Sequence, residues 1–433
     1  MDRKIQTSLI TKTLAVAITA AMASTVQAAS TEQQQIQELR QEVQALKALI
    51  QQQQQVQQQQ QVQIQQVQAQ PAPAAKSASP FSLKSKGGAE VNLYGFVRGD
   101  ANYIVEGADN DFNSVHTSTG AAKDKLRATP KTTRLGLDFS SPVGDRKVGG
   151  KVEVDFAGSN DALRIRHAYL TLDNWLLGQT TSNFLSNHAP EMIDFGTNVG
   201  GGTTRIPQVR YSHKLAPATQ LLVSAEEGNS SAQALKLNDD DKPVTTGSNV
   251  TYRLPVLTAK LTQGFAEGKG AASARALVEH YKAESGDDKT GWGVAAGVNY
   301  QVAEPLKVSA DVSYVQGNSN YLYGSNSAFY VNPENGDIEQ NEFTAFQVGA
   351  TYKFAPNLRS TLGYGAIFSD DGTDYAVSNE DANKEVYQAW LNFIYSPVKP
   401  VDLGIEYING ERETFAGNKF KDNRFGLMAR YNF

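Results

Sequence analysis

The sequence predicts an all-β fold, a 16-stranded antiparallel transmembrane β-barrel, with an N-terminal α-helical coiled-coil segment ahead of it. Three observations predict this. The chain ends in FGLMARYNF, in which Phe425, Leu427, Ala429, Tyr431 and Phe433 alternate with Gly426, Met428, Arg430 and Asn432. A period of two is the signature of a strand, and about nine residues of it suffice for a tilted strand to cross a bilayer. Next, strand-like runs recur from Val91 onward, separated alternately by short turns and long polar loops. Finally, the mean hydropathy is −0.42, and no apolar run past the N-terminus reaches the length of a membrane helix. Barrel strands are half polar and average out hydropathy, so this value excludes a helical bundle and admits a barrel.

From the N-terminus, residues 1–28 read as a secretory signal peptide. Arg3, Lys4 and Lys12 form a basic start, residues 14–22 a short apolar run, and Val26-Gln27-Ala28 a small-residue cleavage site. Without it, the 40 basic and 45 acidic residues of the chain lose three and one, leaving 37 and 44 and a net charge of −7. That balance excludes nucleic acid as a partner. There is no Cys, so disulfides and thiolate metal sites are excluded.

Residues 30–69 are Gln-rich and carry a heptad. Ile36, Val43, Ile50 and Ile64 hold one position, and Leu39, Leu46 and Val67 the other. β-branched residues at the first and mostly Leu at the second suit a coiled coil, with Gln53, Gln57 and Gln60 weakening the seam. A disordered polyglutamine tract is the alternative. Residues 70–88, rich in Pro, Ala and Ser at first, are a linker. Residues 89–433 are the barrel.

Sixteen strand candidates follow: 91–103, 131–140, 149–156, 162–172, 174–180, 205–215, 218–226, 247–254, 256–266, 291–302, 306–316, 342–354, 357–368, 384–395, 401–409 and 425–433. Pro255 serves as one of the short turns. The run ARALVEHYKA at 274–283 would break the alternation of connectors and suits a helix by propensity, so it is assigned to the fifth long loop. An even strand count with both termini on the turn side results.

In a water-filled barrel the polar face of each strand looks into the lumen. Leu135, Leu137 and Phe139 then point to lipid, and Arg134, Gly136 and Asp138 inward. The inward basic set is Arg98, Arg134, Lys151, Arg164, Arg166, Arg205, Arg210, Arg253, Lys260, Lys307, Lys353, Arg359 and Arg430. The inward acids are fewer: Asp100, Asp138, Glu153, Asp155, Glu226, Asp311 and Glu406. Rings of Arg and Lys favour anions, and the planar Arg fork meets a carboxylate with two hydrogen bonds. Arg98, Arg134, Arg164, Arg166, Arg205 and Arg210 are the candidates to line a constriction. Many inward Arg residues could equally pair with inward Asp or Glu. His167 and His213 fall on lipid-side parity near strand ends.

No two of the five His have metal-ligand spacing, and no GxSxG or P-loop pattern occurs. The acidic runs at Asn238 and Asp370 lack the spacing of a calcium loop. No metal, cofactor or enzymatic activity is expected.

Several runs in this order resemble general trimeric porins. VNLYGFVRGD is similar to their first strand, RIRHAYLTLDNWLLGQT to their fourth and fifth, APEMIDFGTNVGGGTTR to their constriction loop, and RYNF to their ending. With the helical segment in front, the chain resembles the DcaP-like porins. The resemblance implies a homotrimer in the bacterial outer membrane, in contact with its lipid, passing dicarboxylates and other small anions, with the N-terminal segment in the periplasm. Contact with a periplasmic partner or peptidoglycan through the coiled coil would follow. It also implies that Glu191 and Asp194 on the loop face Arg98, Arg134, Arg166 and Arg205 on the wall. The loop departs from the family pattern in having few acids and a Gly200-Gly201-Gly202 run. A sugar porin is the alternative, but its line of inward aromatics is thin here (Tyr94, Phe96, Trp390). An envelope-tethering barrel is the other.

Overall fold

The computed structural model describes residues 82–84, 88–194, 198–228, 233–237, 243–247 and 250–433. The expected coiled coil over 30–69 lies outside them. Among the described residues the one α-helix is the five-residue Asp374–Ser378. Among the described residues the expected fold class is therefore corrected to a sixteen-stranded antiparallel barrel alone.

The strands are β1 (Glu90–Gly107), β2 (Ala122–Thr129 and Arg134–Val143), β3 (Arg146–Asp155), β4 (Arg164–Leu172), β5 (Trp175–Thr181), β6 (Arg205–Ala216), β7 (Thr219–Glu226) and β8 (Val250–Tyr252 and Val256–Phe265). They continue as β9 (Gly270–Ala283), β10 (Asp288–Ala303), β11 (Leu306–Gln316), β12 (Glu342–Ala355), β13 (Leu358–Ser369), β14 (Asn383–Val398), β15 (Val401–Thr414) and β16 (Lys419–Asn432). Each pairs with the next in sequence, and β16 pairs back with β1, Phe96 opposite Asn432 through Tyr103 opposite Phe425. A ring of this kind leaves no edge.

The last residue completes the seam. Phe433 accepts a hydrogen bond from the Gly95 amide (3.2 Å) and donates one to its carbonyl (3.0 Å). A side chain at Gly95 would collide with the Arg134 carbonyl and meet the Phe433 ring, so glycine is required there.

The strand count matches the expectation, but two of its members differ. The runs 247–254 and 256–266 are not a hairpin about Pro255; they are two pieces of β8, both paired with β9. The run 274–283 is strand, inside β9, not loop. Its inward face explains why it was hidden. Leu277 and Tyr281 are buried there, because loops fill this side of the lumen: Leu277 packs in an apolar core with Phe184, Leu185, Val256, Val315, Tyr321 and Phe343, and Tyr281 in a second one with Ala328, Phe329 and Ile338. Arg253 falls in the break of β8 and is exposed.

Elsewhere the two faces are as expected. Leu135, Leu137, Phe139 and Val152 are exposed, while Lys151, Glu153 and Asp155 are buried inside. Large apolar side chains outside and charges within invert the order of a water-soluble protein. The short turns carry exposed Lys147, Lys214, Lys269, Lys307, Lys353 and Lys399 at or beside them; the opposite end carries exposed Asp161, Glu284, Asp288, Glu334, Asp370, Asp371 and Glu380.

One expected orientation is overturned. The β3–β4 register shifts between Glu153 and Val154, a β-bulge that brings both Arg166 and His167 to the inner side. His167 Nδ1 lies 2.9 Å from Thr180 Oγ1, and its Nε2 lies 3.8 Å from Glu153. Lipid-side parity for His167 fails because the extra residue resets the alternation.

Candidate functional site

The third long loop, residues 182–204, enters the lumen and is anchored along one side of it. Asn183 donates through its amide to Glu226 on β7 (3.1 Å). Lys260 on β8 donates to the Leu185 carbonyl (2.8 Å), and Arg275 on β9 to that of Phe184 (3.2 Å). Arg275 also pairs with Asp311 on β11 at 2.6 Å, where Ser186 adds a bond of 2.6 Å. His188 bridges Ser273 on β9 (3.0 Å) and Asn299 on β10 (2.9 Å). Farther along, Glu191 takes the Arg359 fork on β13 with two bonds of 2.7 Å. Glu406 on β15 accepts from the Ile193 and Asp194 amides (2.8 and 2.9 Å), and Arg98 on β1 donates to the Ile193 carbonyl (2.7 Å).

The glycine run has a packing reason. Gly200 has φ +78°, and a Cβ on it would enter the Phe346 and Ala366 carbonyls. Gly365 on β13 gives room for the Val199 carbonyl, which Gln347 holds at 2.9 Å. Glycine on both sides lets the loop backbone lie against the wall, which side chains would prevent.

These anchors lie on β7 to β15 and on β1. The remaining wall, β2 to β6, holds the predicted arginines. Asp155 meets Arg164 with two bonds (2.9 and 2.7 Å) and Arg166 with a third (2.9 Å). Glu153 meets Arg166 at 2.8 Å and Arg134 at 3.3 Å. Arg134 also lies over the Phe96 ring, 5.0 Å from its centre. Arg205 is paired with Thr181 through the strand ladder, but its guanidinium forms no hydrogen bond or ion pair with any described residue. Three guanidinium groups thus share two carboxylates and a fourth stands beside them, so the wall is net positive.

The other candidates are placed differently. Arg98 is buried and pairs with Asp100 at 2.6 Å. Arg210 lies 3.5 Å from Asn183 Oδ1, behind the start of the loop. Glu191, held by Arg359, is not brought to the arginine wall. Asp194 is, but its carboxylate accepts the Asn113 amide at 2.7 Å.

Between wall and loop is a pocket of about 430 Å³. Arg98, Arg164, Arg166, Arg205 and Lys131 line one side, and Ile193 and Asp194 another. The first long loop, residues 108–121, supplies Phe112, His116 and Thr117 among others, and Asp155, Thr203 and Tyr323 also line the pocket. Burial pushes the His116 imidazole down to about 4, and the neighbouring Arg412 guanidinium adds to this, so it is neutral near pH 7. Lys131 pairs with Asp111, which also takes Arg127 at 2.8 Å. Sequence reasoning missed the first loop's part altogether, since no motif marks a segment that folds inward.

No group of three or more His, Cys, Asp or Glu among the described residues could hold a metal ion. The arrangement is suited to attracting and orienting an anion.

Comparison with known proteins follows the same line. Residues 15–433 match the family model described as DcaP outer membrane protein. Among solved structures the chain is similar to the outer membrane channel DcaP of Acinetobacter baumannii, at 66% identity and a TM-score of 0.76, covering 81% of this chain and 99% of that one. It shares the fold of OmpT of Vibrio cholerae, at 15% identity and a TM-score of 0.52, over 82% of this chain and 100% of that one. It shares it also with an anion-selective porin from Comamonas acidovorans, at 13% and 0.52, over 80% and 100%. None of the curated proteins compared matches it.

Proposed function

The chain belongs to the DcaP outer membrane protein family, a porin-type barrel through which solutes diffuse passively, and on that premise we propose that it passes small anions, dicarboxylates among them. The observation that carries this reading is the net positive wall, in which the Arg205 guanidinium has no partner among the described residues. A dianion entering the pocket meets Arg205 directly, with Arg164 and Arg166 beside it. Guanidinium forks offer paired donors to a carboxylate. Arg98, Arg134 and Arg210 support the wall and its field, and Glu191 and Asp194 fix the loop opposite.

The solute-conducting form is a homotrimer in contact with outer-membrane lipid, with residues 1–28 removed. The segment before β1 lies on the periplasmic side, as both ends of the barrel are at its short turns.

The test is the reversal potential in planar bilayers under a salt gradient. Anions should permeate better than cations. Arg205→Ala should lower that preference about fivefold, since one charge at close range in water-like surroundings is worth roughly 1 kcal/mol. Cation preference in the unaltered protein would overturn the reading.

A further inference from the structure

The third loop is not the only segment that narrows this lumen. The first long loop leaves β1, turns inward and forms the outer side of the pocket, so that the passage lies between its Phe112, His116 and Thr117 and the arginine wall. What keeps it there is Asn113, which is fully buried. Its amide donates to Asp194 on the third loop (2.7 Å), and its carbonyl accepts from the Tyr323 hydroxyl on the sixth (2.8 Å). Its side-chain oxygen accepts from Gln388 on β14 (2.8 Å). One residue thus joins three loops and the barrel.

The neighbours complete the attachment. The Ser114 amide donates to Asp422 on β16 (2.8 Å), whose carboxylate is paired with Arg424, both fully buried. Val115 is fully buried and packs against Gly410 on β15, where a Cβ would lie 3.2 Å from its own. Asn383 and Arg412 hold the His116 and Ser118 carbonyls at 2.9 and 2.6 Å. A loop that only covered the mouth would need none of these internal partners. Each one fixes its distance from the wall.

We propose that the first loop is a second, fixed constriction element, that Asn113 is its positioning residue, and that the size limit for solutes is set by the first and third loops together. This rests on the channel reading. It adds that size and charge are selected by different elements: size by the two loops, charge by the wall. Phe112 is the ring that restricts the opening, and Asn113 acts through it.

The test uses neutral sugars of increasing size in liposome swelling, with reversal potentials measured on the same preparations. Asn113→Ala, which removes the side-chain bonds to Gln388 and to the Asp422 carbonyl and keeps the two backbone ones, should admit larger sugars several-fold faster, with the anion preference retained. Phe112→Ala, which removes the ring and leaves every tether in place, should do the same, and serves if Asn113→Ala does not insert. The chain has no Cys, so a Val115→Cys, Gly410→Cys pair is its sole thiol pair. Their Cβ separation, 3.2 Å, is a few tenths of an ångström shorter than that of a disulfide, so the loop backbone must draw back slightly for the bond to close. Oxidising this pair in the Asn113→Ala background should restore the original size limit, and reduction should release it. An unchanged size limit in Phe112→Ala, or in a folded Asn113→Ala channel, would overturn the proposal. Because the sugars are uncharged, that result is separate from a failure of anion selectivity.

Discussion

Arg205 and the arginines beside it differ in what holds them. Arg164 and Arg166 are committed to Asp155 and Glu153, whereas Arg205 lines the pocket with its guanidinium bonded to none of the described residues. Charge and fork geometry can therefore be separated at this position. Arg205→Lys should keep the anion preference, while block of small-ion current by a dicarboxylate should weaken, because an ammonium lacks the paired donors. Equal loss of both would count against a geometric role. His116 gives a pH dependence. Its folded value, about 4, is below the free imidazole's 6.5. The unfolded or undocked loop then binds the proton more readily, so docking is fully stabilised above about 6.5 and is lost as pH falls through about 4. Sugar permeation should rise over that window, and His116→Gln should flatten the rise. Alternation exposed the arginines in the sequence because a strand leaves only two directions for a side chain. It missed His167 because one inserted residue at the bulge reverses both.

Among elements, the third loop depends on buried ion pairs. Arg275 and Asp311 are shielded from water and bond to each other and to the loop. Removing one partner of such a pair costs about 3–5 kcal/mol, as the other charge is left buried. Asp311→Asn should thus lower the temperature at which the folded barrel band is lost on gels, and should increase current noise. An unchanged transition would mean that the loop is held elsewhere. Neither the pair nor β9 was legible beforehand. The rule of polar inside and apolar outside holds where the lumen is wet; around β9 it is filled by loops, and Leu277 and Tyr281 follow core rules instead. The long loops themselves were legible as loops, but their inward paths were not, since these depend on contacts made hundreds of residues away, such as Asn113 with Gln388.

Across the whole molecule, charge is biased between the ends. Among the described residues exposed basic groups outnumber exposed acids at the short turns, where Asp145, Asp173, Glu267 and Glu304 are also exposed, and exposed acids outnumber exposed lysines at the long loops. An anion approaching from the loop end meets repulsion before the arginine wall, and one from the turn end does not. Current–voltage curves should be asymmetric at low salt and become linear as salt rises, because screening shortens the reach of these charges to about 10 Å at 0.1 M. A linear curve at low salt would sink the idea. The ring as a whole also depends on its final position, where Phe433 binds Gly95. All of β16 must therefore be made before β1 gains its second neighbour in full. A product cut even slightly short keeps an unzipped flank, liable to recruit a strand from another molecule. Length itself becomes a condition for a watertight wall.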